Sequence, residues 1–131
     1  MDRRIHKVVR AISQDVGRSW SVVEMAEIAK VSLGYFPTLF KQETQSTPHS
    51  FLKSTRMSDA ARHLGDPECV LSIKEIACLV GCPDESHFTK DFKSHSGLTP
   101  TQFRRQAEEK FQADYESATN QRFRQEIDDF A

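Results

Sequence analysis

LSIKEIACLVGCPDESHFTKDFKSHSGLTPTQF, residues Leu71 to Phe103, reads as a helix, a tight turn, a second helix and the start of a third. Ser72 and Glu75 form a capping box, each side chain pairing with a backbone N–H left free at the helix start. Leu71 and Ile76 flank it as a hydrophobic staple. Ile73, Ile76, Ala77 and Val80 continue as an apolar stripe at helical spacing. Gly81 suits the left-handed conformation that ends a helix, and Pro83 blocks continuation. Asp84 then caps a helix that turns Phe88 and Phe92 inward. Two helices with apolar inner faces across a short break are the sequence form of a helix-turn-helix.

The same unit occurs earlier. Trp20 to Phe51 lies over Leu71 to Phe103 with an offset of 51 that becomes 52 at the turn. Ser21 and Glu24 fall on Ser72 and Glu75, Met25 and Ala26 on Ile76 and Ala77. Phe36, Phe40 and Lys41 fall on Phe88, Phe92 and Lys93. Thr47-Pro48 falls on Thr99-Pro100, and Phe51 on Phe103. Recurrence of caps, aromatics and the closing Thr-Pro together marks a duplicated supersecondary unit.

At 131 residues the chain fits one domain, or two very small ones sharing a helix. It has no run of eighteen apolar residues and no apolar segment after its charged N-terminus, which predicts a soluble, cytoplasmic protein. Three cysteines (Cys69, Cys78, Cys82) leave one unpaired in any disulfide scheme, as expected in a reducing compartment. The net charge of −1 is unevenly spread. Residues 1–105 hold 15 Lys and Arg against 12 Asp and Glu, and residues 106–131 hold 3 against 7. A body of only +3 makes any nucleic-acid face a matter of local charge placement.

No stretch alternates with period two, so an all-α fold is expected: two homeodomain-like helix-turn-helix subdomains joined by a long linker helix. Ile5, Val8, Val9, Ile12 and Val16 make a first helix that Gly17 should end, with Arg3, Arg4, Lys7 and Arg10 on its other face. Ser32 should cap the first recognition helix, near 33–45. Pro37 forces that helix either to kink or to begin later, with Pro37 in its first turn. Thr47-Pro48 opens the linker, which ends near Leu64-Gly65. Phe103, Ala107, Phe111 and Tyr115 fall four apart on a last helix. Beyond Ser117 a frayed acidic tail is expected, with a short partner-binding or self-associating helix through Phe123, Ile127 and Phe130 as the alternative. The resulting division is 1–47 (first unit), 48–65 (linker), 66–105 (second unit) and 106–131 (extension and tail).

From Ser19 to Arg105 the chain resembles the AraC/XylS family of bacterial transcription regulators. The likeness is strongest in IKEIAxxxGCxDxSHFxKxFK and GLTPxxFR, and looser across SVVEMA and VSLGYFPTLFK. The resemblance implies a sequence-specific DNA-binding regulator, usually an activator that contacts RNA polymerase. Three departures stand out: Cys82 where Phe is usual, Gln45 where a helix-ending Gly is common, and Pro37-Thr38 where a polar residue and Arg are often found.

A recognition helix reads bases with its front and phosphates with later basic residues. The expected base-reading positions are Glu85, Ser86, Thr89 and Lys90 in the second unit, and Leu33, Gly34 and Thr38 in the first. Glu85 can accept from cytosine, Lys90 can donate to guanine, and Ser86 and Thr89 can do either. Leu33, Gly34 and Pro37 carry no side-chain donor or acceptor, so the second unit should hold more of the hydrogen-bonded discrimination. Lys41, Thr47, Lys93, Thr99 and Arg104 are the expected phosphate contacts. The expected partner is double-stranded DNA, read by a monomer without cofactor or metal. Cys78 and Cys82, with His87 and His95 downstream, lack a metal-ligand spacing and read as packing cysteines. No catalytic motif is present, and the rival to a DNA reader is a degenerate helical module that binds protein.

Overall fold

The computed structural model describes residues 1–130, and all the regular structure among them is helical. Seven helices follow in order: α1 (Arg3–Gln14), α2 (Val22–Ala29), α3 (Phe36–Thr44), α4 (Pro48–Leu64), α5 (Ile73–Leu79), α6 (Glu85–Ser96) and α7 (Pro100–Phe130). Local chemistry sets most of their starts. Asp2, Ser21, Thr47, Ser72 and Asp84 each accept a hydrogen bond from a first-turn N–H of the helix they precede. The Ser72–Glu75 box is reciprocal. Its earlier counterpart is half a box, because Glu24 turns its carboxylate to Arg18 instead.

Two hydrophobic cores result, and α4 belongs to both. Its Leu52 lies in the first, with Ile5, Met25, Phe36 and Phe40; its Met57, Ala60 and Leu64 lie in the second, with Ile76, Val80, Phe88 and Phe92. The buried positions of α1 (Ile5, Val8, Ile12) recur 52 residues later as Met57, Ala60 and Leu64. The second half of α4 therefore covers the second unit as α1 covers the first. The duplication is longer than caps and aromatics alone indicate.

Its aromatic geometry is reproduced closely. Phe36 and Phe40 lie 5.5 Å apart at 49°, and Phe88 and Phe92 5.9 Å apart at 42°. Phe40 meets Phe51 edge-on at 5.3 Å, as Phe92 meets Phe103 at 5.4 Å. Burying each such ring stabilises the fold by about 1.5–3 kcal/mol.

Four expectations are corrected. α3 begins at Phe36, not near Leu33; Pro37 sits in its first turn, where its missing N–H costs nothing. Ser32 caps the preceding turn, accepting from the N–H of Tyr35 at 3.2 Å. α1 stops at Gln14, and Gly17 lies in the following loop, where it serves a close approach described below. Cys78 is exposed, outside the core. The tail is not frayed beyond Ser117, for α7 runs unbroken to Phe130. No Gly or Pro follows Pro100 to interrupt it. The Phe130 side chain lies outside the described part of the structure.

Candidate nucleic-acid interface

α6 turns Phe88 and Phe92 inward, which leaves its opposite face in solvent. Glu85, Ser86 and Lys90 are exposed there and Thr89 is half-buried on the flank. Asp84 holds the His87 N–H at 3.1 Å and fixes the front end of the helix. On α3, Thr38 and Lys41 are exposed and follow the same rule against Phe36 and Phe40. Leu33 and Gly34 are exposed in the turn that leads into α3, so neither projects from the helix itself. Lys93 is exposed on α6.

Thr47 and Thr99 accept from the N–H groups of Ser50 and Gln102, both at 3.2 Å, so their hydroxyl oxygens are engaged as caps while their protons remain free to donate. Gln102 returns the bond to the Thr99 N–H at 3.0 Å. Arg104 is half-buried, its guanidinium 3.8 Å from the Cys69 sulfur in the loop between α4 and α5.

Three residues not singled out from sequence hold this face together. Asp91 on α6 pairs with Lys53 of α4 at 3.0 Å and with Nε2 of His87 at 3.3 Å. That ties α6 to α4 and holds the exposed His87 side chain against Asp91. Arg56 of α4 donates through Nε to the Val16 carbonyl at 3.0 Å and through its terminal nitrogen to the Arg18 carbonyl at 2.7 Å. Between those carbonyls, Gly17 rests on the end of α5. A Cβ there would stand 2.1 Å from the Leu79 carbonyl oxygen. Gly81, at φ +84°, faces this junction, and a Cβ on it would come within 3.0 Å of both Arg56 and the Gly17 carbonyl. Thus one guanidinium and two glycines join the first unit's loop to the second unit's turn. The exposure of His87 follows from the α6 stripe and was readable from sequence. The reach of Arg56 was not, because its partners are backbone carbonyls about 40 residues away.

The cleft beneath this junction, about 530 Å³, is lined by Trp20, Lys53, Arg56, Cys82, His87 and Asp91 among others. Burial pushes the Cys82 thiol up from its ordinary value, which disfavours the reactive thiolate. Among the described residues no group of three or more His, Cys, Asp or Glu side chains is placed to hold a metal ion. No helix among them is long and apolar enough to cross a membrane.

Comparison with known proteins agrees with this geometry. A helix-turn-helix domain family model matches residues 25–106. An uncharacterized HTH-type transcriptional regulator of Haemophilus influenzae is 34% identical over 104 residues, 79% of this chain and 34% of that protein. A putative AraC-like transcription regulator of Streptomyces lividans is 30% identical over 104 residues, again 79% and 34%. The DNA-binding domain of AdpA, solved in complex with a target DNA, superposes with a TM-score of 0.71 at 24% identity, covering 77% of this chain and 89% of that one. The fold is that of a duplicated helix-turn-helix domain. The chain belongs to the AraC/XylS family of helix-turn-helix transcription regulators. It spans about a third of the length of the curated relatives it matches.

Proposed function

We propose that this chain is a sequence-specific reader of duplex DNA that lays α3 and α6 into successive major grooves, about 34 Å apart along the helix axis. The observation that carries this reading is the exposed polar face of α6 (Glu85, Ser86, His87, Lys90) opposite a fully buried Phe88–Phe92 pair, on a unit that occurs twice. The AdpA domain, with the same fold, is held on DNA. In this reading α6 supplies most hydrogen-bonded base contacts, while Leu33, Gly34 and Thr38 offer apolar contact and close backbone approach. Lys41, Lys93, Thr47 and Thr99 meet phosphates, with Arg104 near the backbone. A rigid chain reaching two grooves bends the duplex towards it. The regulator acts as an activator through contact with RNA polymerase, as the family resemblance implies.

Selection from a random duplex pool, followed by titration of affinity against salt, tests this. The expected result is two short conserved blocks one helical turn apart, and an affinity whose logarithm falls with log salt by about 0.9 for each phosphate contacted. No saturable duplex binding at low salt would point instead to a protein-binding module.

A further inference from the structure

The cleft of about 530 Å³ between the units is walled on one side by α4, through His49, Lys53 and Arg56. The cap and front of α6 form the other wall, through Asp84, His87 and Asp91. The fixed charges of these walls cancel, since two cations (Lys53, Arg56) stand against two carboxylates (Asp84, Asp91). Asp91 gives one oxygen to each neighbour: Oδ1 lies 3.0 Å from Nζ of Lys53, and Oδ2 lies 3.3 Å from Nε2 of His87. Trp20 lines the first unit's side without charge, and Arg18, 4.6 Å from its ring, is paired with Glu24. Cys82 stays a neutral thiol, because burial pushes it up. Glu85 and Lys90, the nearby charges on α6, lie off the cleft.

The sign of the cleft is therefore left to two exposed imidazoles, His49 and His87. Imidazole is the side chain whose charge ordinarily changes between about pH 5 and 8. While both rings are neutral the walls sum to zero; each proton taken up adds one uncancelled positive charge. His87 also belongs to a second surface, the exposed polar face of α6. Between two successive major grooves lies a minor groove edged by phosphates. A chain reading both grooves must carry its waist past that stretch of backbone, and the waist is where the cleft lies.

We propose that the cleft is a proton-dependent seat for the DNA backbone between the two read grooves, with protonated His49 and His87 pairing to phosphate oxygens. This rests on the DNA-reading proposal. Asp91 is a positioning residue: it holds the His87 ring through Nε2 and supports its charged form, which leaves Nδ1 to face the phosphate. A phosphate favours the charged rings, so the complex holds more protons than the free chain. By linkage, affinity for the duplex falls as pH rises.

Affinity of the full chain for its selected duplex, followed from about pH 5.5 to 8 at fixed ionic strength, tests this. The wild-type chain should lose about 10-fold in affinity over that interval. At the acid end the logarithm of affinity should fall more steeply with log salt, by about 0.9 for each phosphate the rings gain. His49→Gln with His87→Gln should abolish both effects, whereas His95→Gln, on the same helix but outside the cleft, should keep them. Asp91→Asn should move the loss of affinity to lower pH, because the imidazolium forfeits its carboxylate partner. Inorganic phosphate replacing chloride at matched ionic strength should leave the pH dependence in place; if it erases it, the site takes a free anion and the assignment to backbone falls. A bound duplex whose affinity ignores pH, or a dependence that survives in the double variant, overturns the proposal and leaves the reading of DNA standing. No saturable duplex binding at low salt removes both.

Discussion

Where α2 ends, the chain turns on Lys30 at φ 58°; where α5 ends, it turns on Gly81 at φ 84°. After α3 the left-handed residue is Gln45 at φ 64°, and after α6 it is Gly97 at φ 83°. The hydrogen bonds around these turns are otherwise alike. Val31 N–H reaches the Ala26 carbonyl at 3.2 Å and Cys82 N–H the Ala77 carbonyl at 2.8 Å. Thr44 and Ser96 both bond back to the phenylalanine carbonyl four residues earlier, at 2.8 and 2.9 Å. The first unit thus holds the same conformations with side chains that resist them, at about 1–2 kcal/mol each. The exposed face of α3 and the turn before it (Leu33, Gly34, Pro37, Thr38) are also poorer in polar groups than that of α6. The second unit has relaxed turns, a reciprocal capping box and a polar face. Equal architecture has been kept while local chemistry has diverged.

The largest expected effect tests whether the packing is truly equivalent. Phe40→Ala and Phe92→Ala should each cost about 3–5 kcal/mol in urea unfolding, and by similar amounts. If one is much cheaper, matching ring geometry does not mean matching energetics. Next is the junction between units. Gly17→Ala forces a methyl against the Leu79 carbonyl and should cost about 3 kcal/mol. Binding to an isolated half-site should survive this change, whereas the gain from joining two half-sites should shrink.

Lys90→Ala should weaken binding by about 1–3 kcal/mol and relax one base position in a competition assay. Thr38→Ala should do less; the reverse order would move the discrimination to the first unit. Smallest is the exchange of turn residues. Gln45→Gly should stabilise by about 1 kcal/mol and Gly97→Gln should destabilise by as much, since nothing lies within 4 Å of a Cβ at Gly97 and backbone conformation alone decides. Melting temperatures of the two variants would move in opposite directions.

The fold was legible because its signals are local and occur twice. Ser72–Glu75, Thr47-Pro48, Asp84 and the Phe36/Phe40 and Phe88/Phe92 pairs each speak within one or two helical turns. Pro37 posed its own question, and the first turn of α3 answers it. What stayed hidden acts over distance or without a side chain. Gly17 looks like a helix terminator, yet it is needed for contact with a carbonyl 62 residues away. Arg56 bonds backbone groups, which leave no trace in residue types. The likeness of α1 to the second half of α4 escaped because Ile5, Val8 and Ile12 correspond to Met57, Ala60 and Leu64, alike in burial but not in identity. The continuity of α7 was masked by its polarity.

Arg56 is worth one more step. The carbonyls it grips lie in a loop with no regular structure, and the grip passes from the longest covered helix straight into that loop. Beyond the shared α4, register between the two halves is consequently held by a fork of two nitrogens beside the Gly17–Leu79 contact rather than by a broad greasy seam. If the proposed reading of DNA holds, a molecule so fastened measures length on its target as a caliper does: loosen the screw, and both jaws stay sharp while the reading is lost.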